Sequence, residues 1–153
     1  FKTKMDRNKL TEEHVKNIFE PINEDYEWVQ YNSDLRLIHH IDSDMYQLES
    51  LLDCIPIDFN VDDVLSDPEI QELIETVNDY NEVIPSVVTY QDLEDLNEDE
   101  LQIRCEEDEE IFDELNGTYI NKYLVNGIAM RLWPAYYFKC IQYLTPKLEL
   151  SNF

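Results

Sequence analysis

Tyr26-Glu27-Trp28-Val29-Gln30-Tyr31-Asn32-Ser33-Asp34-Leu35-Arg36-Leu37-Ile38-His39-His40 is the stretch that sets the fold class. Tyr26, Trp28 and Gln30 alternate with Glu27, Val29 and Tyr31, and Leu35 to His40 is a second β-rich run. Asn32-Ser33-Asp34 between them has turn chemistry, so the segment predicts a hairpin. The segments that flank it read as helix. Before it, Thr11-Glu12-Glu13-His14 has a cap followed by acids, Val15, Ile18 and Phe19 follow at helical spacing, and Pro21 stops the helix. After it, Ser43 precedes Met45, Leu48, Leu51, Leu52 and Ile55 on one helical face, ended by Pro56.

Ser66-Asp67-Pro68-Glu69 is a helix start with a cap, a first-turn proline and an acid at the positive end. Ile70, Leu73, Ile74 and Val77 supply its apolar stripe. Val87 to Tyr90 is short and β-prone. Asp92 to Glu114 holds 13 acids in 23 residues with leucines and isoleucines interleaved, read as helical pieces ending at Asn116-Gly117. Tyr119 to Leu132 reads as one helix and Pro134 to Leu144 as another, ended by Pro146, with Leu148-Glu149-Leu150 as a strand or extended arm. The expected fold is therefore α+β and α-rich. It is a single compact domain: an N-terminal helix, a small β-hairpin, and acidic amphipathic helices packed on an aromatic C-terminal helical pair.

Of 153 residues, 35 are acidic and 11 basic, a net charge of -24. Residues 1–16 sum to +2, residues 17–114 to -29 and residues 115–153 to +3. That divides the domain into a basic arm at 1–10, an acidic region at 17–114 and an aromatic, near-neutral helical region at 115–153. A compact chain of this length is about 40 Å across, and 24 charges equal those on roughly 41 Å of duplex DNA. Designed soluble domains typically carry a net charge of magnitude about 2–8, and halophilic proteins carry more. Crowded ionised carboxylates repel, so raised carboxyl pKa values and stabilisation by mild acid are expected.

Hydrophobic residues at 43% exclude a disordered tail. No apolar run approaches the roughly 18 residues of a membrane helix. Cys54, Cys105 and Cys140 are far apart and odd in number, which excludes a disulfide framework and fits a reducing cytoplasm. Gly117 and Gly127 are the only glycines, too few for a phosphate loop. Paired carboxylates discriminate nothing in so acidic a chain, and no nucleophile elbow is present. The chain reads as no enzyme and calls for no cofactor.

Asp58 to Glu69 resembles a calcium-binding EF-hand loop, with Asp58, Asn60, Asp62, Ser66 and Glu69 as ligands and Asp63 where glycine belongs. A poorer match runs from Asp95 to Glu106. His39 and His40 precede Asp42 and Asp44, but neighbours on a strand point to opposite faces and cannot share one ion. Leu132-Trp133-Pro134 and Leu148 to Phe153 resemble the C-terminal part of SecB-type export chaperones. The preceding half of that family is alternating strands, where this chain reads as helices, so nothing is carried over from it.

In size and composition the chain is similar to phage-encoded DNA-mimic inhibitors of the antirestriction and anti-CRISPR kind. That resemblance implies an acidic inhibitor occupying the basic site of a nucleic-acid-binding protein or nuclease, or a nuclease immunity protein, in the cytoplasm of a host cell. The expected contact residues are Glu94, Asp95, Glu98, Asp99, Glu106, Glu107, Asp108, Glu109, Glu110, Asp113 and Glu114, with Tyr80 or Tyr90 as apolar anchors. On this reading there is no direct nucleic-acid binding and no membrane. The aromatic run through 119–144 suits a homodimer, or a structural subunit acidic only for solubility.

Overall fold

The hairpin is present as β2, Tyr26–Gln30, and β3, Arg36–His40, paired antiparallel with Tyr26 opposite His40 and Trp28 opposite Ile38. Its turn closes because the Asn32 side-chain oxygen accepts from the Asp34 and Leu35 amides, both at 2.9 Å. The computed structural model describes residues 18–80, 85–95 and 109–151.

The chain forms a single α+β domain, a six-stranded antiparallel sheet with seven helices among the described residues. The other strands are β1, Phe19–Pro21; β4, Met45–Gln47; β5, Val87–Thr89; and β6, Thr118–Asn121. Their order is β1-β2-β3-β4-β6-β5. The helices are α1, Leu48–Cys54; α2, Val61–Ser66; α3, Pro68–Tyr80; α4, Tyr90–Asp95; α5, Glu109–Leu115; α6, Lys122–Leu132; and α7, Pro134–Ser151.

Four expectations are corrected. Phe19–Pro21 is an edge strand, where a proline is tolerated, and not the end of an N-terminal helix, whose expected body lies outside the described residues. Met45–Gln47 is a strand, although Met45 fits the helical stripe that follows it. Thr118–Asn121 is a strand whose last residue becomes the cap of α6, the Asn121 side chain accepting from the Tyr123 amide at 2.8 Å. Helix α7 continues past Pro146 to Ser151, so the expected terminal strand is helix.

Strand alternation gives the sheet two buried faces. Leu37 and Ile120 point to one, where α1 and α6 lie with Leu48, Leu51, Leu124, Val125 and Ile128, and α3 packs on α6 through Ile70 and Val77. Tyr26, Ile38, Met45, Val88 and Tyr119 point to the other, covered by Tyr90 and Leu93 of α4 and Leu115 of α5. The aromatic side chains therefore divide between both faces, and among the described side chains of α7 Tyr136 is the one buried in the first core.

Polar clamps hold the halves together. Gln47 Nε2 donates to the carbonyls of Glu114, Leu115 and Asn116 at 2.8, 3.3 and 3.3 Å. The Thr118 amide donates to the Glu49 carboxylate at 2.9 and 3.1 Å; burial pushes the Glu49 pKa up and this bond counteracts it. Gly117 between them has φ +154°, and a Cβ there would stand 2.5 Å from Glu49 Oε1. Gly117→Ala should cost about 1–3 kcal/mol, read as a fall in denaturation midpoint without a change in slope.

His40 is 2% exposed beneath the Tyr26 ring, its Nδ1 2.6 Å from Ser43 Oγ. Burial pushes its pKa down to about 4, with Asp42 acting upward and His39 downward. Desolvation at Asp44 and Asp67 is outweighed by hydrogen bonds and cations, which lower both, as the Thr89 amide and hydroxyl lower Asp92. These groups, His40 above all, act against the expected stabilisation by mild acid. The folded His40 binds its proton less readily than the unfolded one, so its contribution is complete above the unfolded value of about 6.5. Stability should fall by up to about 3 kcal/mol as pH drops from there through about 4. Melting temperatures across that window should show the fall, and His40→Leu should flatten it.

Candidate functional site

The sheet face under α1 and α6 continues beyond them as a half-buried polar surface at the hairpin end. Glu27 and His39 are cross-strand partners there, with His39 Nδ1 2.9 Å from Glu27 Oε2. His39 Nε2 lies 2.7 Å from Asp44 Oδ1, whose other oxygen is 3.2 Å from Lys122 Nζ. The His39 ring stacks on Tyr46 with centroids 4.6 Å apart, and Tyr46 meets Tyr31 edge-on at 5.4 Å. Burial is the main cause that pushes the Tyr46 and Tyr136 pKa values up to about 12, and it raises Tyr31 too. All three hydroxyls therefore act as neutral donors and acceptors at physiological pH.

Helix α6 and the turn extend this surface. Lys122 and Asn126, four residues apart, share the flank that faces the hairpin. Asn126 Nδ2 donates to the Tyr31 hydroxyl at 3.5 Å and its carbonyl accepts from the Tyr136 hydroxyl. Asn32 Nδ2 donates to that same Tyr136 hydroxyl at 2.9 Å, and Lys139 Nζ sits 2.8 Å from Asp34 Oδ1. Tyr123 is 65% exposed beside Lys122. The outcome is a continuous band of amides, tyrosines and two lysines from His39 to Lys139.

The opposite flank of α6 is different. Leu73 of α3 closes on Gly127, and Arg131 is held by Asp67 at 3.3 Å and Glu69 at 3.0 Å. Gly127, Met130, Arg131 and Tyr137 line a shallow groove of about 460 Å³ there. Among the described side chains the four cations, Arg36, Lys122, Arg131 and Lys139, each face a carboxylate.

Of the eleven acidic contact residues expected from the sequence, six lie among the described residues. Glu94 is 6% exposed in the second core, accepting from the Tyr90 hydroxyl at 2.8 Å, and Tyr90 itself is buried. Glu114 accepts from the Trp28 indole at 2.6 Å, and Asp95 from Gln91 at 2.9 Å. Glu109, Glu110 and Asp113 are exposed on α5, and Tyr80 is exposed at the end of α3. Glu98, Asp99, Glu106, Glu107 and Asp108 lie outside the described residues, as does most of the second loop match.

The EF-hand reading is also corrected. Residues 61–66 are helix α2 and not a wrapped loop, because Asn60 caps it, accepting from the Asp62 amide at 2.8 Å. Ser66 donates to the Asp63 carbonyl, Glu69 holds Arg131, and Asp67, not Ser66, caps α3 by accepting from the Glu69 and Ile70 amides. Among the described residues no three His, Cys, Asp or Glu side chains are grouped to hold a metal ion.

A family model described as the KilA-N domain matches residues 29–146, more than three quarters of the chain. No curated protein and no solved structure matches. The KilA-N domain is a DNA-binding domain found in phage and viral transcription regulators. This overturns the reading of an acidic inhibitor that copies DNA to block a nuclease or other nucleic-acid-binding protein. It likewise reverses the expectation of no direct nucleic-acid contact, since KilA-N domains bind DNA directly. A net charge of -24 is therefore no sign of a basic protein partner in this chain. No helix among the described residues is long and apolar enough to cross a membrane.

Millimolar calcium should leave the melting temperature unmoved. A loop of micromolar affinity would instead add about 4 kcal/mol at a thousandfold excess of the ion.

Proposed function

Because this chain belongs to the KilA-N family, we propose that it is a non-catalytic module that binds duplex DNA directly. The contact surface is the band around Asn32, Lys122, Tyr123, Asn126 and Lys139. Family membership over residues 29–146 is the observation that carries this reading. The band supports it because it combines what duplex recognition requires: ammonium groups for phosphates, amides for base edges, and an exposed aromatic ring. The exposed acids of α4 and α5 belong to the layer on the opposite side of the sheet. Lys2, Lys4, Arg7, Lys9 and Lys16 precede the matched segment and add cations for the phosphate backbone. Such work belongs inside a cell, in regulation of the phage or viral type.

Selection of bound duplexes from a randomised pool at low salt, followed by titration, tests the proposal. Lys122→Ala and Lys139→Ala should each weaken binding across all sequences by about 3- to 10-fold and reduce the salt slope by about 0.9. Asn126→Ala should relax sequence preference while leaving that slope alone. Absence of any retained duplex at low salt would remove the proposal.

A further inference from the structure

Asp44 is the one non-glycine residue with positive φ, +58°, among those described. It ends the turn after β3, its amide donating to the His40 carbonyl at 2.9 Å. Aspartate tolerates this left-handed backbone better than most residues, yet at a cost of about 1 kcal/mol or more. The conformation aims its carboxylate between two nitrogen groups from different elements. Oδ1 stands 2.7 Å from His39 Nε2 on β3, and Oδ2 stands 3.2 Å from Lys122 Nζ in the first turn of α6. Glu27 holds the other ring nitrogen of His39 at 2.9 Å, which orients the imidazole edge toward Asp44. The Asp44 and Lys122 side chains are both 47% exposed, so an incoming anion has access to the ammonium group.

We infer that Asp44 occupies, in the DNA-free chain, the seat of a backbone phosphate, and that binding exchanges this carboxylate for a phosphate oxygen on Lys122. The inference rests on the DNA-binding reading above and adds an internal lock to it. The Asp67–Arg131 pair is less suited to exchange. The second oxygen of Asp67 caps α3, so leaving Arg131 would be coupled to loosening a helix. Asp44 gives both oxygens to side chains, and release of its turn relieves the positive φ.

The test uses the full chain and a duplex recovered by the selection, titrated at several salt concentrations. Asp44→Asn keeps a residue suited to the left-handed backbone and removes the charge. It should bind about 3- to 10-fold more tightly than wild type, with the salt slope unchanged, because Lys122 neutralises one phosphate in both. Asp44→Gly, which also relieves the φ, should gain at least as much. Lys122→Gln placed on Asp44→Asn should abolish the gain. Glu75→Gln, on the exposed face of α3 across α6, removes the same charge without touching the pair and should change affinity by less than about 2-fold. Equal gains from Glu75→Gln and Asp44→Asn would show general repulsion and overturn the lock. So would unchanged or weaker binding by Asp44→Asn when wild type binds. If wild type and every variant fail to bind any duplex at low salt, the DNA-binding reading itself falls, and the lock with it.

Discussion

The pairing of Met45–Gln47 with Tyr119–Asn121 is the contact on which the rest of the sheet depends. It joins the hairpin half of the chain to the C-terminal half, with Met45 opposite Asn121, Tyr46 opposite Ile120 and Gln47 opposite Tyr119. Both faces of the sheet are buried, so a slip of one residue would send Tyr46 and Ile120 into the wrong core. The register is held from outside the strands as well as within them. Gln47 reaches three carbonyls at the end of α5, and Glu49 grips the Thr118 amide across Gly117. The same pairing ends at Asn121, the cap of α6, which brings Lys122 beside the turn containing Asp44. The polar band is therefore a consequence of sheet register.

The hairpin and its Asn32 turn were legible because alternation and turn chemistry coincide in one local segment. Helix α3 was legible from its proline start and apolar stripe, although the capping residue is Asp67. Strands β4 and β6 were not. Each is three or four residues long and runs directly into a helix, so Met45 and Tyr119 fit the helical stripe as well as the pleat. A long-range partner decides between those alternatives, and periodicity within one segment holds no trace of it. The polar band was hidden for the same reason: Asn32 meets Tyr136 and Tyr31 meets Asn126 across about a hundred residues of chain. His39, His40, Asp42 and Asp44 were weighed as a metal cluster and set aside, and the geometry joins His39 to Asp44 through a hydrogen bond. Their expected separation from His40 holds, since His40 turns to the opposite face beneath Tyr26.

Net charge misled because it reports on solubility and association and not on fold. The matched segment holds 27 acidic and five basic residues. Some of those acids have local duties that no charge sum reveals. Glu94 is a buried acceptor for Tyr90, Glu114 anchors the Trp28 indole, and Asp67 spends an oxygen on a helix start.

Such a surface has a consequence for a protein that binds DNA. Non-specific affinity comes almost wholly from phosphate neutralisation, and each cation described here already faces a carboxylate. Long-range repulsion between two polyanions lowers binding to random duplex, which every site in a genome offers equally. That repulsion acts on specific and random duplex alike, so it lowers both affinities and leaves their ratio to contacts with base edges. On the DNA-binding surface proposed above, the amides of Asn32 and Asn126 are the groups suited to those contacts. The ratio that governs occupancy among many competing sites would then rest on such amides and not on net charge.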